Sequence, residues 1–390
     1  MKSFLKKLEE KLGITIIKSS SLVNFTNTYW TKENDDNLVA LRLCQVLLNT
    51  LKHFLPIADT LKELSLSECG LEIIDCIKQF TNLSKLDISS NSISSLKGLE
   101  NLWKLEELNL AATDIKSNSK YVELRALDKL EYLNLNYTDV GSVSGLEHLI
   151  NLNKLSLKGA NNMTTFSDTE NMGNLRSLNL DACHYLNFYN LGLENFTCLK
   201  ILNLGNCIVK SFNGLKNLTT LKQLILHGAL NVPVPIDLNG LRSLQFLDLS
   251  DTSIDKVQRL ETLSNLMMLN LATNNINKIE GLNFLENLKF IYLRDNKISF
   301  LEKNNFANPA TDCIADVGLN DIINYDIELG GKIKFVYNFE GAGLVLTPID
   351  LSFDDVDDVQ LYCRQLKQRY NLRIDTMGLA SSLKIEEFFD

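Results

Sequence analysis

Apolar residues recur along most of this chain in one frame. A leucine is followed by further leucine or isoleucine at the fourth and sixth positions, and by a small or polar residue at the ninth. The frame begins at Leu61, Leu83, Leu105, Leu130, Leu152, Leu175, Leu199, Leu221, Leu244, Leu266 and Leu288, in steps of 22, 22, 25, 22, 23, 24, 22, 23, 22 and 22 residues. Apolar residues at the fourth and sixth positions with an unlike residue between them mark a strand whose apolar side chains share one side. The ninth position holds Asn91, Asn274 and Asn296, with Cys69, Thr113, Thr138, Ala160, Cys183, Cys207, Ala229 and Thr252 elsewhere. A small residue there lets the chain turn out of the strand. Apolar residues then return about every third position, as at Ile276, Ile279, Leu282 and Leu285, and carry the chain back in short helical or extended turns. One unit cannot bury its own leucines, so the units must stack on one another.

The segments "NNINKIEGLNFLENL" and "NSISSLKGLENLWKL" give the pattern its clearest form. They resemble the leucine-rich repeat family, in the 22-residue type of internalins and of the leucine-rich regulatory subunit of protein phosphatase one. The resemblance spans about Leu61 to Phe306. It implies an α/β solenoid, right-handed and curved, with a parallel sheet on the concave face and macromolecular partners bound there. Repeats five, six and eight ("LKGANNM", "LDACHYL", "LHGALNV") shift one apolar residue by a single position, and the third repeat carries extra residues around "KSNSKYVELRALDK". These departures predict a bulged turn without loss of the sheet.

A stack exposes two apolar ends, which need covers. Residues 1–60 are expected to form a helical N-terminal cap: "FLKKLEEKL" as a short amphipathic helix, and "DDNLVALRLCQVLLNTLKHFLP" as a longer one ending at Pro56. The solenoid is assigned to residues 61–306. Residues 307–330, "NPATDCIADVGLNDIINYDIEL" in the main, resemble the capping helix of bacterial leucine-rich repeat arrays. Residues 331–390 are assigned to a small acidic α+β appendage. It holds a hairpin around "EGAG", then a helix over "DDVDDVQLYCRQLKQRYN" with acids first and bases last, as the helix dipole favours.

Charge supports a boundary near 310. The chain carries a net charge of -9, and from Thr311 onward fifteen acidic residues face only seven basic ones. That balance argues against a nucleic-acid-binding surface. No apolar run approaches the ~18 residues of a membrane span, and the N-terminus lacks the apolar core of a secretory signal. The eight cysteines have no disulfide spacing, and three fall at the ninth repeat position, as buried reduced thiols would in a cytoplasm, bacterial or host. The four histidines lack zinc-site spacing, "EGAGLVLT" lacks the rest of a phosphate loop, and no nucleophile or carboxylate-pair motif appears. Neither an enzyme nor a bound cofactor or metal is expected.

Function must then reside on strand positions that stacking leaves free. The third positions read Glu63, Lys85, Glu107, Tyr132, Lys154, Ser177, Ile201, Gln223, Phe246, Met268 and Phe290, polar at first and apolar later. Strands ~4.8 Å apart would stack Phe246, Met268 and Phe290 as a track about 10 Å long. Ile201, Ile225 and Tyr292 extend or flank it, with His227, Asp248 and Arg294 among its rim, and Tyr132 marks a weaker patch. Exposed aromatics with a charged border suit a protein partner on the concave face. If the C-terminal hairpin instead folds back over repeats ten and eleven, Phe290 and Tyr292 become internal packing. The principal reading is a non-enzymatic protein-binding scaffold. Alternatives are a translocated bacterial effector, since "SSLKIEEFFD" resembles type IV translocation signals, and an enzyme or regulatory subunit using the C-terminal appendage.

Overall fold

A computed structural model describes residues 2–18, 28–31, 38–116, 121–164, 169–187, 191–301, 313–318, 320, 324–325 and 333–336. It divides into two compact units, one holding residues up to 187 together with 191–199, the other beginning at Lys200.

The first unit starts with helix α1 (Lys2–Leu12), formed where "FLKKLEEKL" predicts it, with Leu5 and Leu8 buried. Glu9 secures its exit: the side chain accepts the Ile16 N–H at 2.7 Å and the main-chain oxygen accepts that of Gly13. Strand β1 (Ile17–Lys18) runs parallel to β2 (Thr28–Thr31), which pairs antiparallel with β3 (Leu38–Cys44). From β3 the sheet is parallel, through β4 (Glu63–Ser67), β5 (Lys85–Asp87), β6 (Glu107–Asn109), β7 (Tyr132–Asn134), β8 (Lys154–Ser156) and β9 (Ser177–Asn179).

Strand β3 corrects the second N-terminal helix. Leu41 stands opposite Leu64 and Leu43 opposite Leu66, so "LVALRLCQV" is a further copy of the repeat frame. Leu38, Leu41, Cys44 and Leu48 mimic helical spacing, but parallel pairing with β4 satisfies the backbone and seals Leu38, Leu41 and Leu43. The return segment is a short 3-10 turn, Leu51–Ile57, whose first turn is capped by the Thr50 side chain.

The second unit continues the pattern with β10 (Ile201–Asn203), β11 (Gln223–Ile225), β12 (Phe246–Asp248), β13 (Met268–Asn270) and β14 (Phe290–Tyr292), all parallel and in register. Next, β15 (Phe300–Leu301) leads to β16 (Cys313–Asp316), which pairs parallel with β14. Strand β17 (Asn324–Tyr325) pairs with β15, and β18 (Ile333–Val336) with β16. The expected capping helix over 307–330 is thus corrected at its described residues. There "DCIADVGLN" is another repeat, with Ala315 and Val317 in the leucine positions and Asn320 in the ninth. The remainder of the proposed appendage, beyond Val336, lies outside the described residues.

The core of each unit is built from the fourth- and sixth-position side chains, as in Leu108, Leu110, Leu247 and Leu249, all at 0% exposure. Turns leave the strands in several ways; at Thr113, Thr138 and Thr252 the side-chain hydroxyl donates to the carbonyl three residues back. Where the ninth residue is asparagine, its amide does the work. Asn91 Oδ1 accepts the N–H groups of Cys69 and Leu71 in the repeat before, while Nδ2 donates to the Leu66, Ile88 and Ser89 carbonyls. Asn274 repeats the arrangement, and Asn296 and Asn320 do so with one accepted N–H each, from Ile276 and Ile298. Where the ninth residue is Ala160, Cys183, Cys207 or Ala229, its own N–H bonds back three residues instead. In repeats five and six a second such bond follows, from Met163 to Ala160 and from Leu186 to Cys183.

Candidate partner interface

Strand face positions three and five have different duties. At the fifth position, Asp87, Asn109, Asn134, Asn179, Asn203, Asp248 and Asn270 each accept the N–H two residues on, at 2.9–3.1 Å. This Asx turn caps the strand end, so the polar row has a local structural reason. The third position makes no such bond and varies freely in chemistry.

In the first unit all six third-position side chains from Glu63 to Ser177 are half-buried, Tyr132 among them. Lys85 Nζ lies 2.7 Å from Glu107 Oε1, and that bond holds its ammonium above the ordinary lysine range. Beyond the strand ends, Tyr137 is exposed and packs its ring against Gly159, where a Cβ would sit 2.7 Å from Tyr137 Cδ1. Lys158 Nζ meets Asp181 Oδ2 at 2.8 Å beside it.

In the second unit the register brings Gln223, Phe246, Met268 and Phe290 into one row, as the spacing predicts. Their exposure overturns the expectation of an open apolar track. Phe246 and Met268 are 1% exposed and Phe290 is 3% exposed. Ile201, Ile225, His227, Tyr292 and Arg294 are half-buried and reach solvent. Asp248, expected on the rim, is fully buried. Its Oδ1 accepts from Ser250 N at 2.9 Å and Ser250 Oγ at 2.6 Å, and Ser250 Oγ lies 2.9 Å from His227 Nδ1. Burial pushes the Asp248 carboxyl above the usual range, against the opposing pull of Ser250, His227 and Asn270.

Cys69, Cys183 and Cys207 are free and closed to solvent, and Cys69 and Cys183 point their thiols at main-chain carbonyls. Burial pushes the Cys69 thiol up to about 11 and that of Cys183 to about 12. Among the described residues, no group of three or more histidine, cysteine or acidic side chains is placed to hold a metal ion, and no helix is long and apolar enough to cross a membrane.

Residues 122–224 match the family model of the leucine-rich repeat domain of the endo-beta-N-acetylglucosaminidase EndoS. A leucine-rich repeat protein of Leptospira interrogans has a similar structure, with a TM-score of 0.57 and 23% identity over 77% of this chain and 86% of that one. The fold is a leucine-rich repeat solenoid. Another leucine-rich repeat match is a chain in the crystal structure of a TLR13–ssRNA13 complex, with a TM-score of 0.58 and 23% identity over 73% of this chain and 50% of that one. An internalin of Listeria monocytogenes matches with a TM-score of 0.48 and 20% identity, over 74% and 89%. No curated protein matches the sequence. Sequence reasoning missed one contribution to this leucine-rich repeat stack, a second amide ladder preceding the first leucine. There Asn82, Asn151, Asn174, Asn265 and Asn287 donate to carbonyls of the previous repeat at 2.6–2.8 Å. The recurrent "NL" dipeptide was its signal.

Proposed function

We propose that the chain is a non-enzymatic scaffold that binds a protein partner on the strand face of its leucine-rich repeats. The observation that carries this reading is the division of labour within each strand. Positions four, six and nine serve the stack, and position five caps the strand where it is Asp or Asn, while Ile225 and Tyr292 at that position do not; the third position is half-exposed in the first unit and differs from repeat to repeat. A surface freed from folding duties can vary to suit a ligand. The similar solenoid in the complex with single-stranded RNA raises a nucleic acid as the alternative. Here Glu63, Lys85 and Glu107 alternate in sign along the row, which favours a mixed protein surface over a phosphate backbone. In the second unit the proposed partner surface comprises Ile201, Ile225, His227, Tyr292 and Arg294, with Phe246, Asp248, Met268 and Phe290 as the floor beneath it; in the first unit Tyr132 marks a separate patch.

The test is affinity capture with the wild type and a Tyr132→Glu/Ile201→Glu/Ile225→Glu variant, both checked for equal thermal midpoints. Loss of the captured protein from the variant supports the interface. Equal capture by two equally stable proteins removes it, and capture of RNA alone turns the reading to nucleic acid. Translocation as an effector is a separate question. It is answered by whether deleting residues 381–390 abolishes delivery into a host cell.

A further inference from the structure

We propose that the strand face of the second unit holds an anchor for an arginine of its protein partner, built from the Asp248 carboxylate and the Gln223 side-chain carbonyl on neighbouring strands. This rests on the reading that the face binds a protein, and it names the chemistry of that protein. At the fifth position, Asn109, Asn203 and Asn270 cap the strand end with an uncharged amide, and Asp248 does so through Oδ1 alone. The stack therefore has no use for a second, charged oxygen there. Asp87 shows how another repeat disposes of one. Its Oδ1 takes the cap, and the Ser65 hydroxyl on the strand before donates to its Oδ2 at 3.2 Å. The residue in that place beside Asp248 is Ile225, which has no side-chain donor. Asp248 Oδ2 is left buried without a hydrogen bond, and so is Gln223 Oε1.

Unmet acceptors in a closed site weaken the folded state until a donor arrives. Asp248 and Gln223 are closed to solvent, at 0% and 1% exposure. They lie one strand apart and two residues along, about 8 Å between Cα atoms at the usual spacings. A guanidinium suits that pair, because its planar fork carries enough donors for two separate acceptors. It also brings the opposite charge to a carboxyl that burial holds above its usual range. Phe246 stands beside Gln223 in the register and Met268 beside Phe246, apolar ground for the arginine stem and its flat head. Ile225 and His227, half-buried, are the side chains that turn aside as the head enters: Ile225 is the lateral neighbour of Asp248, and His227 is joined to it through Ser250 Oγ. Side-chain turns of this kind are common on binding.

The test pans the full-length wild type against a phage-displayed library of random peptides. A selected peptide is synthesised with arginine and with citrulline at the shared position, and its binding to the wild type, Asp248→Asn and Gln223→Met is followed by fluorescence anisotropy. Asp248→Asn keeps the cap and removes the charge, and the thermal midpoints of both variants check that they fold. The expected result is a shared arginine whose change to citrulline weakens binding to the wild type about tenfold or more, with the difference lost on Asp248→Asn and reduced on Gln223→Met. A citrulline penalty unchanged on Asp248→Asn would overturn the anchor, and so would selected peptides that share no arginine. If those peptides fail to bind the Tyr132→Glu/Ile201→Glu/Ile225→Glu variant, the protein-binding face stands and only the anchor falls. No selected peptide at all counts against both.

Discussion

Replacing Asn274 by alanine isolates what one ladder asparagine contributes. Its Oδ1 is the acceptor for the main-chain N–H groups of Thr252 and Ile254, each at 3.1 Å, and for the Thr252 hydroxyl. Its Nδ2 donates to the Leu249, Leu271 and Ala272 carbonyls. Those carbonyls keep other donors in the variant: Thr252 Oγ1 on Leu249, Asn296 Nδ2 on Leu271 and Asp251 N on Ala272. The loss thus falls on two buried N–H groups, each worth about 1–3 kcal/mol when left unmet. Asn274→Ala should destabilise its unit by about 4 kcal/mol, read from equilibrium urea unfolding followed by circular dichroism. The control is Asn275→Ala, which removes only an exposed bond to Ser253 at 3.4 Å and should stay within about 0.5 kcal/mol. A loss below about 1 kcal/mol for Asn274→Ala, matching the control, would refute the argument that the turn depends on the amide.

Asp248→Asn should stabilise the protein at neutral pH, because asparagine forms the same cap at Asn109, Asn203 and Asn270 without a buried charge. Since burial raises the folded carboxyl above its unfolded value, the wild type loses stability as pH rises through the folded pKa. The advantage of the variant should shrink toward pH 4 and below; a gap independent of pH in urea midpoints would contradict this. Among the described thiols, exposed Cys198 should react first with an aromatic disulfide reagent, while Cys69, Cys183 and Cys207 wait for unfolding. Rapid labelling of Cys183 in the native protein would show the turn to be open.

The strands from β4 to β14 were legible because leucine at the fourth and sixth positions leaves little else for the chain to do. The repeats at either end were not. Over Leu38–Leu48 both spacings are present, Leu38, Leu41, Cys44 and Leu48 for a helix and Leu41 and Leu43 for a strand, and only pairing with β4 separates the two. At Cys313–Asp316 the leucines are replaced by Ala315 and Val317. Asn320, 24 residues after Asn296, was the surviving signal. Of the candidate interface, the row itself was legible, since register follows from equal spacing. Its exposure was not, because alternation tells which side of a strand a residue faces and not how far its neighbours bury it. Asp248 shows the same limit: the sequence marks it as a rim acid, and burial makes it part of the floor.

The ladder asparagines reach backward. Asn91 meets N–H groups of Cys69 and Leu71, and Asn274 those of Thr252 and Ile254, in each case in the repeat already passed. On a ribosome, where the N-terminal part emerges first, such a turn lacks its acceptor until about one more repeat has left the tunnel. The growing end of the protein is therefore always one repeat short of closure there, and translation sets the order in which those turns lock.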